Sequence, residues 1–196
     1  RMFVNVHGET ALMPSRREPM KFAMLRNLLR MSRVTLGSRV YTPDSTLGIA
    51  FRGILAVGWR TGHRLAEFVA HPSGELCYLT RGKVSYMLAG VLVADPTPAQ
   101  LNAARPGDII LLEPPRSKTD QFGEIHCPFP SSLPIIADEN SAGQIILRIE
   151  RDRPCHGAAR DTVPLFADDQ GRPYTHSAMD SLLHHAIVHM YGAKVA

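Results

Sequence analysis

Thr61-Gly-His-Arg-Leu-Ala-Glu-Phe68 follows an apolar, helix-like run that extends from Leu47 to Trp59. Gly62 is expected to end this run, and a new helix is expected to begin near Arg64. Arg64 and Glu67 then lie three residues apart on one face of the first turn of the new helix. The stretch therefore predicts a helix boundary and an arginine displayed beside it.

Arg64 is the first candidate for a catalytic residue. Its guanidinium is planar, stays charged at every working pH, and donates two parallel hydrogen bonds that match the oxygens of a phosphodiester. Glu67 is expected to orient that guanidinium from behind. The alternative is an ordinary exposed ion pair, which contributes only about 0.2 to 0.5 kcal/mol and has no functional role.

The composition indicates a globular protein with one sizeable core. The chain has 196 residues, 44% of them hydrophobic, so it is not disordered by composition. Gly48, Arg52 and Gly53 interrupt the longest apolar run, which is shorter than the roughly 20 residues of a membrane helix. The first residues lack the pattern of a secretory signal. We expect no membrane partner and an intracellular location, either the nucleus or a bacterial cytoplasm.

The net charge, the cysteines and the histidines indicate which classes of function are compatible with the sequence. Cys77, Cys127 and Cys155 are widely spaced and odd in number, which disfavours a disulfide framework or a zinc ribbon. The net charge of +4 permits nucleic-acid binding, although many proteins with such an excess bind none. His63 and the other histidines lack the spacing of a metal or triad site, which disfavours a small-molecule enzyme.

Helical and strand-like patterns alternate along the chain. The period of apolar residues predicts a small sheet within a helical protein. We therefore expect an α+β fold, mainly α, with a small antiparallel β-sheet. The predicted helices run from Ser15 through Pro19 to Met31, from Ser45 to about Arg60, from near Arg64 onwards, from Asn140 to Asp152, and from Thr175 to Tyr191, with Thr175 or Ser177 as N-cap. The predicted strands are Glu75–Thr80, Val84–Leu88, Gly90–Ala94, Asp108–Glu113 and Glu124–Phe129.

A predicted hairpin tip holds the second candidate residue. Pro114-Pro-Arg-Ser-Lys-Thr-Asp-Gln-Phe-Gly-Glu124 lies between two of the predicted strands, and Lys118 is displayed at its tip. A lysine there can neutralise a phosphate or protonate a leaving alkoxide. The alternative is an unremarkable surface lysine in a turn.

The motif around Arg64, followed along the chain by a predicted hairpin with Lys118, resembles the catalytic domain of the tyrosine recombinase (phage integrase) family. That family has an arginine in a T-G-x-R-x-x-E context, followed by a hairpin lysine that often stands in S-K-T. Arg17-Glu-Pro-Met20 is similar to the opening of that domain, and Pro164-Leu-Phe166 with Gly171-Arg-Pro173 is similar to the segment before its second box. The resemblance covers 17–196, with 1–16 as a lead-in.

The resemblance implies a fold of the DNA breaking-rejoining type and a DNA strand transferase that works through a phosphotyrosine. Such enzymes need no metal or cofactor, and they usually act as tetramers on double-stranded DNA. Arg64 and Lys118 then have catalytic roles and Glu67 supports Arg64. Arg116, Thr119 and Lys83 are expected to contact DNA, and Lys83 is also the competing candidate for the lysine role.

Two departures from the family limit what we expect of this chain. The His-x-x-Arg box and the nucleophilic tyrosine are expected after Ala196, and Tyr191 precedes the place of that box, so we expect no nucleophile among these residues. The segment 82–107 lengthens the distance between Arg64 and Lys118 and is predicted to be an insertion. The fragment is therefore expected to bind DNA without cleaving it. The rival interpretation is a non-catalytic DNA-binding or regulatory module that reuses the fold.

Overall fold

The computed structural model describes residues 20–37, 39–70, 78–113 and 130–192. Helices and two small antiparallel sheets alternate along these ranges, so the predicted α+β class is confirmed. The α-helices are α1 (Phe22–Leu29), α2 (Thr46–Thr61), α3 (Pro98–Ala103), α4 (Ala142–Asp152) and α5 (His176–Tyr191). Short 3-10 turns occur at Leu65–Glu67, Arg81–Lys83 and Gly157–Asp161.

Side-chain caps set where the long helices begin. Ser45 Oγ accepts the backbone N–H of Gly48 at 3.1 Å at the start of α2. Thr175 Oγ1 accepts the N–H of Ala178 at 3.3 Å at the start of α5. Such caps satisfy donors that the first turn of a helix leaves without partners. The helices predicted from Ser45, Asn140 and Thr175 are therefore confirmed, with α4 beginning two residues after Asn140.

Two predicted elements differ from the structure. The helix predicted to begin near Arg64 is a single 3-10 turn, Leu65–Glu67. The strand predicted at Glu75–Thr80 is also wrong over its described part, because residues 78–80 contribute only an isolated bridge between Thr80 and Pro164. Both segments are short connections whose path is set by packing on the core. The strand predicted at Glu124–Phe129 lies outside the described residues.

The larger sheet has four antiparallel strands. Their order is β4 (Val91–Val93), β3 (Val84–Leu88), β5 (Ile109–Leu112) and β6 (Ser131–Pro134), with Tyr86 opposite Ile110 and Ile110 opposite Leu133. The three strands predicted between Val84 and Glu113 are thus confirmed. The sequence did not predict β6, nor the hairpin formed by β1 (Val34–Leu36) and β2 (Arg39–Tyr41).

The segment 82–107, predicted to be an insertion, is an integral part of this sheet. It supplies β3, which pairs with strands on both sides, together with β4 and α3. Tyr86 and Leu101 from this segment are 0% and 1% exposed. Asp108, directly before β5, accepts the backbone N–H group of Ala89, in the turn between β3 and β4, at 2.9 Å, and that of Arg105, near the end of the segment, at 3.0 Å. The fold of the described residues therefore depends on the segment.

Helix α2 lies at the centre of the core and packs against α1 and α4. Two of its glycines allow this close packing. A methyl group on Gly48 would collide with the backbone carbonyls of Thr42 and Pro43, and one on Gly53 would collide with the Phe166 ring. Where a neighbouring carbonyl or ring lies this close to a helix, glycine is favoured despite its low helix propensity.

A buried ion cluster joins α4 to two of the 3-10 turns. Glu150 is 1% exposed, and its two carboxylate oxygens each lie 3.2 Å from a nitrogen of Arg160. Arg81 approaches the same carboxylate at 3.4 Å. Arg160 also donates to the backbone carbonyl of Arg81 at 3.0 Å. One carboxylate thus compensates two guanidinium groups that are both 3% exposed.

Replacing Glu150 by glutamine should destabilise the protein strongly. The Glu150→Gln substitution leaves two buried guanidinium groups without a counter-charge, and breaking a buried pair in this way typically costs about 3 to 5 kcal/mol. The free energy of unfolding from urea denaturation should fall by about 3 kcal/mol or more. The matched control is Asp152→Asn on the same helix, which removes an exposed ion pair with Arg148 and should cost about 0.5 kcal/mol or less. Equal losses in the two variants would contradict this expectation.

Candidate functional site around Arg64

Gly62 ends α2 in the left-handed region of backbone conformation. Its φ is +76°, and its N–H donates to the carbonyl of Gly58 at 2.8 Å. Residues with a Cβ atom avoid this conformation, which is why helices so often end at glycine. The helix end predicted from the sequence is therefore confirmed, and it turns the chain sharply before Arg64.

Glu67 holds the backbone of Arg64, in contrast to the predicted contact with the guanidinium. Its Oε2 atom accepts the backbone N–H of Arg64 at 3.1 Å, and the Glu67 N–H donates to the Arg64 carbonyl at 2.9 Å. The Arg64 side chain is exposed and forms no ion pair with any other described residue. The acid thus fixes the turn and leaves the guanidinium available to a ligand.

His63 and Thr61 brace the other side of the turn. The Thr61 hydroxyl donates to the carbonyl of Val57 at 2.8 Å, and it lies 2.6 Å from Nδ1 of His63. The His63 ring also packs against Phe68, with ring centroids 5.8 Å apart. His63 thus supports the turn through both the nearby Thr61 and the core residue Phe68. Its supporting contacts were not apparent from the sequence.

The residues after Arg64 anchor the turn in the core. Phe68 is 1% exposed and packs edge-on against Phe166, with centroids 5.7 Å apart. The carbonyl of Glu67 accepts the N–H of Leu79 at 2.9 Å, and the N–H of Ala70 donates to the carbonyl of Tyr174 at 2.8 Å. Arg64 is therefore an exposed cation mounted on a well-held turn.

Lys83 is already paired in the structure. Its Nζ atom lies 2.9 Å from a carboxylate oxygen of Glu113, and both side chains are about half exposed. Glu113 directly precedes 114–129, a segment outside the described residues that contains the other predicted contacts, Lys118, Arg116 and Thr119. The structure thus brings Lys83 to the base of the segment that holds Lys118.

Three of the five tyrosines have hydroxyls in environments that oppose ionisation. Tyr41 and Tyr86 are 0% exposed. Burial raises the pKa of Tyr41 to about 12, and burial together with the Glu150 carboxylate raises the pKa of Tyr86 well above its usual value. Burial, reinforced by two aspartates, raises the pKa of Tyr174 to about 12. These groups are poorly suited to act as nucleophiles, because attack requires loss of the phenolic proton.

The other two tyrosines, Tyr78 and Tyr191, are partly exposed. The Tyr191 hydroxyl accepts a hydrogen bond from Asn27 at 2.8 Å and so ties α5 to α1. Tyr78 is partly exposed and precedes Leu79, whose N–H binds the carbonyl of Glu67. The fold therefore brings the backbone at Tyr78 near the Arg64 turn, although no sequence pattern singled out this residue.

The described residues contain neither a cluster suited to a metal ion nor a helix suited to a membrane. Within 20–37, 39–70, 78–113 and 130–192, no three His, Cys, Asp or Glu side chains are grouped closely enough to hold a metal ion. None of the helices in these ranges combines the length and apolar character that crossing a membrane requires.

Compared with known proteins, the chain matches no protein-family model, no curated protein and no solved structure. We therefore infer the function from the residues themselves and from their geometry.

Substituting Gly62 should destabilise the turn that presents Arg64. A Cβ atom at Gly62 meets nothing within 4 Å, so the cost of Gly62→Ala comes from the left-handed conformation alone and should be about 1 to 2 kcal/mol. Gly62→Asn should cost less, because asparagine tolerates this conformation better. Urea denaturation of both variants measures the difference. Equal stability of Gly62→Ala and the unmodified protein would show that the turn adopts another conformation.

Proposed function

We propose that the chain is part of the catalytic domain of a tyrosine recombinase, which cuts and rejoins double-stranded DNA through a phosphotyrosine in the full-length protein. The observation that supports this proposal best is the exposure of the Arg64 side chain on a fixed turn. Its guanidinium is exposed and unpaired among the described residues, while the turn beneath it is fixed by Glu67 and Gly62. A fixed cation with free donors is what binding of a phosphodiester requires.

The proposed role of Arg64 is to stabilise the transition state. As a tyrosine attacks phosphorus, negative charge grows on the non-bridging oxygens of the phosphate, and a guanidinium donates hydrogen bonds to them. A donor that is already in position lowers the barrier because it needs no reorganisation at the moment of reaction. Glu67 contributes indirectly, since its hydrogen bond to the backbone N–H of Arg64 fixes the main chain from which the side chain extends.

The proposed role of Lys118 is to protonate the departing 5′ oxygen, which must leave as a hydroxyl. This role depends on the resemblance of its S-K-T context to that of the family. Arg116 and Thr119, its neighbours along the chain, would contact the DNA backbone. Lys83 would serve the same purpose less readily, because a phosphate must compete with Glu113 for its ammonium group.

A non-catalytic DNA-binding module is the second candidate function, and the tyrosines favour it. Tyr41, Tyr86 and Tyr174 have raised pKa values, and Tyr191 is engaged with Asn27. A chain with these properties can bind a phosphate at Arg64 without attacking it. In the full-length recombinase, we place the nucleophile outside these residues.

Substituting Arg64 should weaken DNA binding in a salt-dependent way. Arg64→Ala should reduce the slope of log affinity against log salt by about 0.9, the value of one lost phosphate contact. Arg64→Lys should keep most of the slope, since it keeps the charge but loses the planar fork. Anisotropy of a labelled duplex from low to moderate salt measures these slopes. Arg39→Ala, at another exposed arginine, is the control; an identical loss in that variant would contradict a specific role for Arg64.

The chain should form no covalent adduct with DNA. A nicked suicide duplex traps a phosphotyrosine as a band that survives denaturing electrophoresis, and we expect none with the 196-residue chain. In the full-length protein an adduct should form, and Arg64→Ala should slow it about a hundredfold to a thousandfold. An adduct formed by the chain alone and lost in Tyr78→Phe would place the nucleophile here and contradict our assignment. Absence of any adduct with the full-length protein would favour the non-catalytic module.

A further inference from the structure

An apolar groove runs between α1, α2 and a third side formed by the end of β6 and the residues that follow it. We call it the α1–α2 groove. Its apolar lining includes Phe22 and Leu29 of α1, Trp59 of α2, and Leu133 and Ile136 from the third side, and it encloses about 390 Å³. This volume falls within the usual range for sites that accept several apolar groups.

Several large apolar side chains that line the groove are exposed to water. Phe22 is 62% exposed, Trp59 is 47% exposed and Ile136 is 45% exposed. The two aromatic rings form a pair with centroids 6.1 Å apart. A contiguous exposed apolar surface costs free energy in water and is typical of an interaction site. Tryptophan in particular is frequent among the residues that dominate binding energy.

The rim of the groove has an excess of positive charge. Arg26 lies on α1, Arg30 caps the C-terminal end of α1 four residues later, and Arg60 lies in the last turn of α2. Asp138 is the acidic residue among the described lining groups. None of the three arginines forms an ion pair with another residue in the described part of the chain. Three uncompensated cations around an apolar floor complement a ligand that is both acidic and apolar.

We propose that the α1–α2 groove binds an acidic amphipathic helix of a partner protein. The apolar face of such a helix would cover Phe22 and Trp59, and its flanking carboxylates would pair with Arg26, Arg30 and Arg60. This is the helix-in-groove mode of recognition, in which apolar anchors recur at i, i+3 or i+4, and i+7.

Charge and apolarity together select this occupant over two others. A DNA backbone would satisfy the arginines, but it offers no apolar groups to cover the aromatic pair. A second copy of this chain would bring a net charge of +4 to a surface that is already basic, so the long-range repulsion opposes it. An acidic helix satisfies both features of the groove. The proposal does not depend on the function proposed for Arg64.

Trp59 provides a direct test, because it is the single tryptophan of the chain. The probe is a synthetic helical peptide with leucine and phenylalanine at i, i+4 and i+7 and glutamate on its flanks. Its addition should change the Trp59 fluorescence in a saturable way. The double variant Arg26→Glu, Arg30→Glu should bind at least tenfold more weakly. Arg39→Glu, an exposed arginine outside the groove, is the matched control and should bind like the unmodified protein.

Further controls vary the charge of the peptide and examine the alternative occupants of the groove. A peptide with lysine in place of each glutamate should bind at least tenfold more weakly than the acidic one. Phe22→Ser provides a second variant if the double variant does not fold, and it should also weaken binding. Four results would overturn the proposal: no saturable response to the acidic peptide, equal binding of the lysine peptide, a saturable response of Trp59 to duplex DNA instead, or a concentration-dependent dimer whose formation buries Trp59.

Discussion

The carboxylate of Glu150 is the contact on which much of the fold depends. It lies in α4 and compensates Arg160 and Arg81, so it joins a helix to the two 3-10 turns that flank it in space. Without this charge both guanidinium groups would be buried without compensation. Arg160 also donates to carbonyls that precede and begin β3, at Arg81 and Val84. One buried acid thus links α4, through Arg160, to the start of the central strand β3.

Those parts of the fold that have a local cause were predictable from the sequence. Ser45 and Gly62 set the two ends of α2, and Thr175 sets the start of α5. Such caps act on backbone groups only a few residues away. The hairpin β1–β2 and strand β6 were not predicted. They are only three or four residues long and depend on pairing partners or packing that no short window contains. The segment 82–107 was predicted to be an insertion from its length relative to the family, and that length gave no information on how β3 pairs with β5 across more than twenty residues.

At the candidate site, the three-residue spacing of Arg64 and Glu67 predicted that the two residues interact, but not which of their atoms form the contact. Arg64 and Glu67 do come together, but the carboxylate binds the backbone N–H and not the guanidinium. A three-residue separation permits both contacts, and the choice is made by the 3-10 turn, whose tighter winding brings the main chain within reach. The support from Phe68 and Phe166 comes from residues almost a hundred positions apart, so it could not be read from the sequence.

The tight packing at two glycines fixes how α2 is seated in the core. A methyl group fits neither between Gly48 and the carbonyls of Thr42 and Pro43 nor between Gly53 and the Phe166 ring. The helix is therefore in close contact at two points of its 16 residues, one near its start and one near its middle. The same helix holds Trp59 and, through its cap at Gly62, leads into the turn of Arg64, so the apolar groove and the Arg64 turn share one scaffold.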